Sequence, residues 1–429
     1  MSITLPLDMT FTEHPLRRWA VDEMHVRRFA PVPRSCEIVQ SVRLLDPGER
    51  EAEDRWLLGN RPDFDEWTLA PRHGSGATRD GLHFLWERHT EASTLTLILP
   101  AGLSETARTI AMRWLEAWPG KVVRATRITV IPDASEAEVD LQRLGLSARD
   151  MVHCDINAGL RLWSDFGIHA DGYGRLLITA GNVDDAERGR IIQRVQELGN
   201  YRNLALLGFP VVQSYGPDLD RLEQGLADHA RRVAEGGDDD EVLLDDLSRI
   251  ASELELIRSA TSFRLSATTA YAEVAADRLA ALEVQSLPNH QSLTEFTERR
   301  LVPAARTCTV FRQRLGAIAD RISGVMHTLD VRIDSRIKAQ NLQLMQSMER
   351  STQLQLRLQT LVESLSIIAA AYYLVGLIAF VVKGMAGWPE RDWASIIVGA
   401  VTLPAVLLIY LLLRIIRKRV LDTDTVHRP

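Results

Sequence analysis

The chain has 429 residues, 46% of them hydrophobic and 25% charged, and a formal net charge of −7. This is globular composition over a length that suits two or three domains, and the acidic balance excludes a general nucleic-acid binder, which needs a dense basic footprint. Three widely spaced cysteines (Cys36, Cys154, Cys308) with no Cys-x-x-Cys pair exclude a disulfide framework and a zinc ribbon, and a mean hydropathy of −0.07 excludes a polytopic membrane protein.

In chain order, Met1–Asp8 has neither a basic region nor an apolar run of signal length, so no secretory signal is expected. Residues 1–183 read as a cytoplasmic α+β domain. Branched and aromatic residues predict strands over 36–45, 83–88, 94–99, 122–131, 152–156, 160–163 and 175–179. Helices are expected over 49–58 and 104–118, the second with Ser104 as N-cap and Pro119-Gly120 as its stop. Asp171-Gly172-Tyr173-Gly174 has hairpin-turn chemistry.

From residue 184 the hydrophobic period becomes helical. Helices are predicted over 188–207, 219–234 and 241–284 in a helical region, 184–300. The acidic run Asp238, Asp239, Asp240, Glu241, Asp245 and Asp246 reads as a solvated loop whose last acids favour a helix N-terminus. A site for hydrated Mg²⁺ or Ca²⁺ is the alternative.

A long stalk helix is expected over 301–363. Its apolar seam, Phe311, Leu315, Ile318, Ile322, Val325, Leu329, Ile333 and Ile337, repeats in steps of three and four, which suits packing against partner helices in a homo-oligomer. A second apolar stretch continues through Leu344, Met348, Leu354, Leu358 and Leu361. Residues 364–382 and 394–413 carry no formal charge, and each is long enough to cross a bilayer. They predict a transmembrane hairpin with a periplasmic loop at 383–393. The basic tail, 414–429, holds Arg414, Arg417, Lys418 and Arg419, which places both termini in the cytoplasm of a bacterial inner-membrane protein. In the first span Ser366, Tyr373 and Gly376 are candidates to face other helices or a pore, and Gly384 and Met385 would stand at its mouth.

The densest chemistry lies in Trp86-Glu87-Arg88-His89-Thr90-Glu91. Together with His83, the residues Glu87, His89 and Glu91 offer two imidazoles and two carboxylates, a donor set for zinc or manganese. A half-exposed strand with Arg88 paired to a carboxylate is the alternative. Phosphate-loop, dinucleotide, nucleophile-elbow and His-Glu-x-x-His motifs are absent from the sequence, and no enzymatic activity is expected.

Several stretches resemble a bacterial family of predicted membrane-anchored proteins of unknown function. They include His14-Pro15-Leu16-Arg17, Trp86-Glu87-Arg88-His89-Thr90-Glu91, Ser164-Asp165-Phe166, Tyr201-Arg202, Thr261-Ser262-Phe263-Arg264, Gln355-Leu356-Arg357-Leu358-Gln359 and Tyr372-Tyr373. That resemblance implies no activity. The architecture is also similar to CorA-type magnesium transporters, which implies a ring of copies, usually five, with the first span lining a pore for a divalent cation such as Mg²⁺. Their Gly-Met-Asn signature is here Gly384-Met385-Ala386, and the departure argues against magnesium selectivity. A non-conducting scaffold or sensor with a cytoplasmic partner is therefore expected. The alternatives are a CorA-like transporter and a membrane-tethered metal-dependent enzyme.

Overall fold

A computed structural model describes residues 12–18, 20–21, 30–59, 61–146, 151–236, 239–384, 396, 399–404, 406–411 and 414–415. The chain divides into two compact units, Met1–Met326 and His327–Pro429. The first is α+β. Its strands are β1 (Cys36–Leu44), β2 (Glu66–Ala70), β3 (His73–Ala77), β4 (His83–Arg88), β5 (Ala92–Pro100), β6 (Lys121–Ile131), β7 (Val152–Ile156), β8 (Leu160–Ser164), β9 (Gly174–Thr179) and β10 (Gln285–Ser286). Its helices are α1 (Arg50–Leu58), α2 (Glu105–Glu116), α3 (Ala137–Arg143), α4 (Asp185–Leu206), α5 (Gly208–Glu235) and α6 (Asp240–Ala280). Helix α7 (Leu293–Gly384) begins in this unit and continues into the second.

The strands form one sheet in the order β10-β7-β8-β9-β6-β1-β5-β4-β3-β2. Strand β6 pairs with β9 in parallel, and the other ladders are antiparallel. Side chains alternate between the two faces of a strand, so each face builds its own core. Val39, Leu95, Leu97, Leu99, Phe84 and Trp86 pack on one face against Leu57 of α1 and Trp114, Leu115 and Trp118 at the end of α2. Ile38, Ile98, Ile128 and Ile178 face the other way, against Ile191, Ile192 and Val195 of α4, Ala275 of α6 and Leu301 of α7. Sheet and helices thus share a core across residue 183.

One carboxylate organises the aromatic face. Glu53 of α1 is fully buried and accepts from the indole Nε1 of Trp86 at 3.0 Å and of Trp118 at 3.1 Å, and from Arg88 Nε at 2.9 Å. A buried charge is tolerable only with such a full donor set. Arg88 also bonds Asp54 of α1. The expectation that Arg88 pairs with a carboxylate is met by α1, not by a strand neighbour.

Phe311, Leu315, Ile318 and Ile322 are buried within this single chain, as is Leu329. Helices α5 and α6 pack together and bury matching stripes, Leu219, Leu222 and Leu226 on α5 and Leu243, Leu247 and Leu254 on α6. Arg314 of α7 reaches Asp220 and Glu223 of α5 at 2.7 and 2.5 Å. The part of the expected oligomer seam within the first unit, Phe311 to Ile322, is therefore covered by that unit's own helices. Further along α7, Ile337, Leu344, Met348, Leu358, Val362 and Leu365 are exposed.

In the second unit α7 runs on to Gly384, and among the described residues it is the one helix long and apolar enough to cross a membrane, with an 18-residue window of mean hydropathy 2.2. The described pieces of the second expected span, 396, 399–404 and 406–411, are helical. The expected loop beyond Gly384, Met385 included, and the tail beyond residue 415 lie outside the described residues.

Replacing Glu53 with Ala strands two indole N–H groups and loosens Arg88. The expected loss is about 3 kcal/mol or more of unfolding free energy in urea titrations. Glu53→Gln, which keeps one acceptor oxygen, should lose clearly less.

Candidate functional site, a polar cavity between the sheet and helix α4

Directly paired strand residues share a face, so the ladders place a polar island on the sheet surface under α4. Gln40 of β1 stands between Thr96 of β5 and Thr126 of β6. In the next row Val42 stands between Thr94 and Arg124, and Glu87 of β4 stands between Thr94 and His73 of β3. Helix α4 covers this island with Gln193, Gln196, Glu197, Asn200 and Tyr201, whose spacing of three and four keeps them on one side of the helix. Between them lies a cavity of about 50 Å³. At ~10–15 Å³ for each water-sized probe, it has room for about three to five waters or one small ion.

Arg124 does not line the cavity itself but bonds two residues that do, Gln40 and Asn200. The side chain is buried, and Nη1 donates to Gln40 Oε1 at 3.0 Å and Asn200 Oδ1 at 2.7 Å. Gln40 Nε2 in turn donates to Thr96 Oγ1 at 2.9 Å. Both acceptors of the guanidinium are neutral amides, and among the described residues no carboxylate pairs with it. Burial, with the charge of Arg202 beside it, pushes the Arg124 pKa down to about 9. Arg202 is itself buried, which lowers its pKa to about 10. It lies over the rings of Phe166 and Phe296 at 4.6 and 5.0 Å, and its Nη1 has no hydrogen-bond partner.

Gly199 makes room for Arg124. A Cβ at that position would lie 2.6 Å from the guanidinium carbon and 2.7 Å from Nε. Nearby, Gln196 is 4% exposed and lines the cavity, and its Nε2 finds no partner.

The acids of the lining are engaged. Glu197 accepts from Gln193 Nε2 at 3.0 Å and from Arg278 Nε of α6. Glu87 lies 3.7 Å from His73 Nδ1 and 3.8 Å from His89 Nε2. Tyr201 meets the His89 ring edge-on at 6.3 Å and stacks on Tyr271 at 5.8 Å. Burial and the neighbouring Glu91 carboxylate raise the Tyr271 phenol pKa.

The metal set expected from sequence is not assembled. Strand β4 ends at Arg88 and the chain reverses at once, with His89 N donating to Ala92 O at 2.8 Å, so strand alternation does not carry through to Glu91. His83 lies at the opposite end of β4, against Ile98, where burial lowers its pKa. Glu91 is taken by Arg264 of α6, with Nη1 to Oε1 at 2.8 Å. Glu87 and His89 alone reach the cavity. Among the described residues, no group of three or more His, Cys, Asp or Glu is placed to hold a metal.

The pore candidates are exposed on α7. Ser366 Oγ donates to Val362 O at 2.8 Å within its own helix, Tyr373 stands edge-on to Tyr372, and a Cβ on Gly376 or Gly384 would meet nothing within 4 Å. Gln40, Arg124, Gln196 and Asn200 were missed by motif reading. One signal was available: alternation in 122–131 sets Arg124 on the face of Ile128 and Val130, a charge on an inward face.

Gly199→Ala drives a methyl group into the Arg124 guanidinium. The expected cost is about 1–3 kcal/mol by urea unfolding. An effect within error of zero would mean that the arginine does not lie on the helix backbone as described.

No curated protein matches the chain. Residues 12–420 match the family described as "Protein of unknown function (DUF3422)", and the chain belongs to that family.

Proposed function

We propose that the protein is a membrane-anchored, self-associating scaffold or sensor of the bacterial inner membrane, with its α+β unit and both termini in the cytoplasm. The observation that carries this reading is helix α7. It is packed in the first unit, carries exposed leucines and methionines from Leu342 on, and ends in the uncharged run that begins at Ser364.

Ile337, Asn341, Leu344, Met348, Ser351, Gln355, Leu358, Val362 and Leu365 are alternately four and three residues apart, the spacing of a coiled-coil seam. The large apolar members of this series are exposed in the single chain. A second copy would cover them, and the polar layers at Asn341, Ser351 and Gln355 would fix register. This reading places self-association C-terminal to the seam that the unit's own helices cover.

The protein should stay in membranes through a carbonate wash. A reporter fused after Pro429 should report cytoplasmic, and a periplasmic signal would overturn the topology. Detergent-solubilised protein should be oligomeric by mass photometry, and Met348→Asp combined with Leu358→Asp should shift it to monomer, since charges in the seam must separate it or lose their solvent. A wild type that is monomeric at every concentration would refute self-association.

The second reading is a CorA-like oligomeric divalent-cation transporter, favoured by a long helix that enters an uncharged run from an α+β unit. Against it, Ala386 stands where that resemblance calls for an asparagine amide to meet the hydrated ion. Vesicles containing the protein and a magnesium-sensitive dye separate the two: the scaffold predicts no uptake, and robust Mg²⁺ entry would favour the transporter.

A further inference from the structure

We infer that the groove between the end of α6 and the start of α7 is a binding site for a small amphipathic amine, an apolar body that carries a protonated amino group. The groove lies within the first unit and encloses about 690 Å³, inside the ~300–1,000 Å³ range of small-molecule sites. Ala272, Ala276 and Leu279 of α6 and Leu301, Val302 and Ala305 of α7 supply its apolar walls. These positions recur every three or four residues, so one side of each helix faces the groove. The small alanine side chains leave the space between the helices open to an apolar body.

One polar group in the wall is left over. Thr297 is 2% exposed and lines the groove, and its Oγ1 has no hydrogen-bond partner among the described residues. A helical threonine commonly returns this hydroxyl to the carbonyl four residues back. Thr307 and Thr309 do so on the same helix, at 2.9 and 3.0 Å, and Thr297 does not. A buried hydroxyl without a partner carries its desolvation penalty, and a ligand donor that reaches it removes that penalty.

Charge selects the donor. The lining holds three carboxylates, Glu273, Glu283 and Glu298, against one cation, Arg306. Among the described residues none of the four has an ion pair or a side-chain hydrogen bond. Both helices run away from the connection at 281–292, so Glu283, Thr297 and Glu298 belong to the end of the groove beside it, and Glu273 and Arg306 to the other end. An ammonium group at the first end donates to Thr297 Oγ1 and answers Glu283 and Glu298, while its apolar body covers the walls. A carboxylate or phosphate there meets two like charges. A neutral body leaves both acids unanswered. A bare metal ion leaves the apolar walls uncovered, and no group of three or more His, Cys, Asp or Glu is placed to hold one among the described residues. The site requires neither membrane anchoring nor self-association.

The test uses full-length protein in phosphatidylcholine nanodiscs, with empty discs as the blank. Phenylbutylamine, phenylbutanol and phenylbutyrate, which share one apolar body, are titrated at pH 7 by isothermal titration calorimetry. The amine should bind saturably and at least about tenfold more tightly than the alcohol, the gain of a hydrogen bond with a charged partner, and the acid more weakly still. Glu283→Gln together with Glu298→Gln should bring the amine down to the affinity of the alcohol and leave the alcohol unchanged. Thr297→Val should weaken the amine at least about threefold. Its unfolding midpoint without ligand, at or above that of the wild type, shows that it folds. Ala276→Trp fills the groove from an exposed position and should abolish binding of all three. No saturable binding of the amine overturns the assignment. An alcohol or acid that binds as tightly as the amine overturns it, and so does amine binding that survives Ala276→Trp.

Discussion

Strand β1 is paired along both edges and buried on both faces, and the rest of the first unit takes its position from that constraint. Its nine residues match β5 on one side and β6 on the other without an unpaired end. Ile38, Val39 and Val42 are almost wholly inaccessible. A slip of one residue would exchange the two faces and put Gln40 among the tryptophans and Val39 under α4. The irregularity in the β6 ladder between Val42 and Arg43 comes where Arg43 turns to the aromatic side, with its guanidinium over Trp118 at 5.0 Å and Nη2 bonded to Leu115 O.

The two faces treat buried charge differently. On the aromatic face the buried group is an anion, and the tryptophans that fill the core also bring the N–H donors that satisfy it. Hydrophobic burial and hydrogen bonding then favour the same arrangement of Trp86 and Trp118 around Glu53. Under α4 the buried group is a cation, and its partners are two amide oxygens that leave the charge unbalanced. Glycine at position 199 brings the guanidinium against the helix backbone, where a side chain would otherwise stand. A polar island of that kind weakens sheet–helix packing, since hydrophobic burial dominates folding.

Much of the first unit was legible in the sequence, because its strands are runs of branched residues bounded by turn residues. The strand expected over 83–88 is β4, and that over 152–156 is β7. Strands β2 and β3 were not legible. His73-Gly74-Ser75-Gly76-Ala77 has poor strand composition, and the reason lies across the ladder: a Cβ on Gly76 would lie 2.4 Å from the Phe84 ring, and one on Gly74 3.4 Å from Trp86. Helix α7 starts at Leu293, ahead of the stalk expected from residue 301. The signal that marks its true start is Ser292-x-x-Glu295, where Ser292 Oγ accepts from Glu295 N at 3.2 Å and Glu295 Oε2 accepts from Ser292 N at 2.9 Å. The candidate site was not legible because its residues come from five separate elements, and spacing along one strand cannot report that. The His–Glu cluster is not gathered at one point: His83 lies at the opposite end of β4 and Glu91 turns to Arg264, while Glu87 and His89 stay together.

The composition of helix α7 changes twice along its length. Within the first unit, from Phe311 to Ile322, it presents apolar residues every three or four positions, and these are buried. From Ser364 it is without formal charge to Val382, and there a helix is the one spanning form that satisfies every backbone group without water. Between these lies a stretch with Gln340, Gln343, Gln346, Gln353, Gln355 and Gln359, which is too polar for lipid, while its leucines and methionines are exposed. An isolated helix in water is marginal, because nucleation is costly and most helical stability comes from packing an apolar face. Intrinsic propensity alone therefore does not account for this middle stretch holding its helix in water. Under the proposed self-association, another helix of matching period would supply that cover.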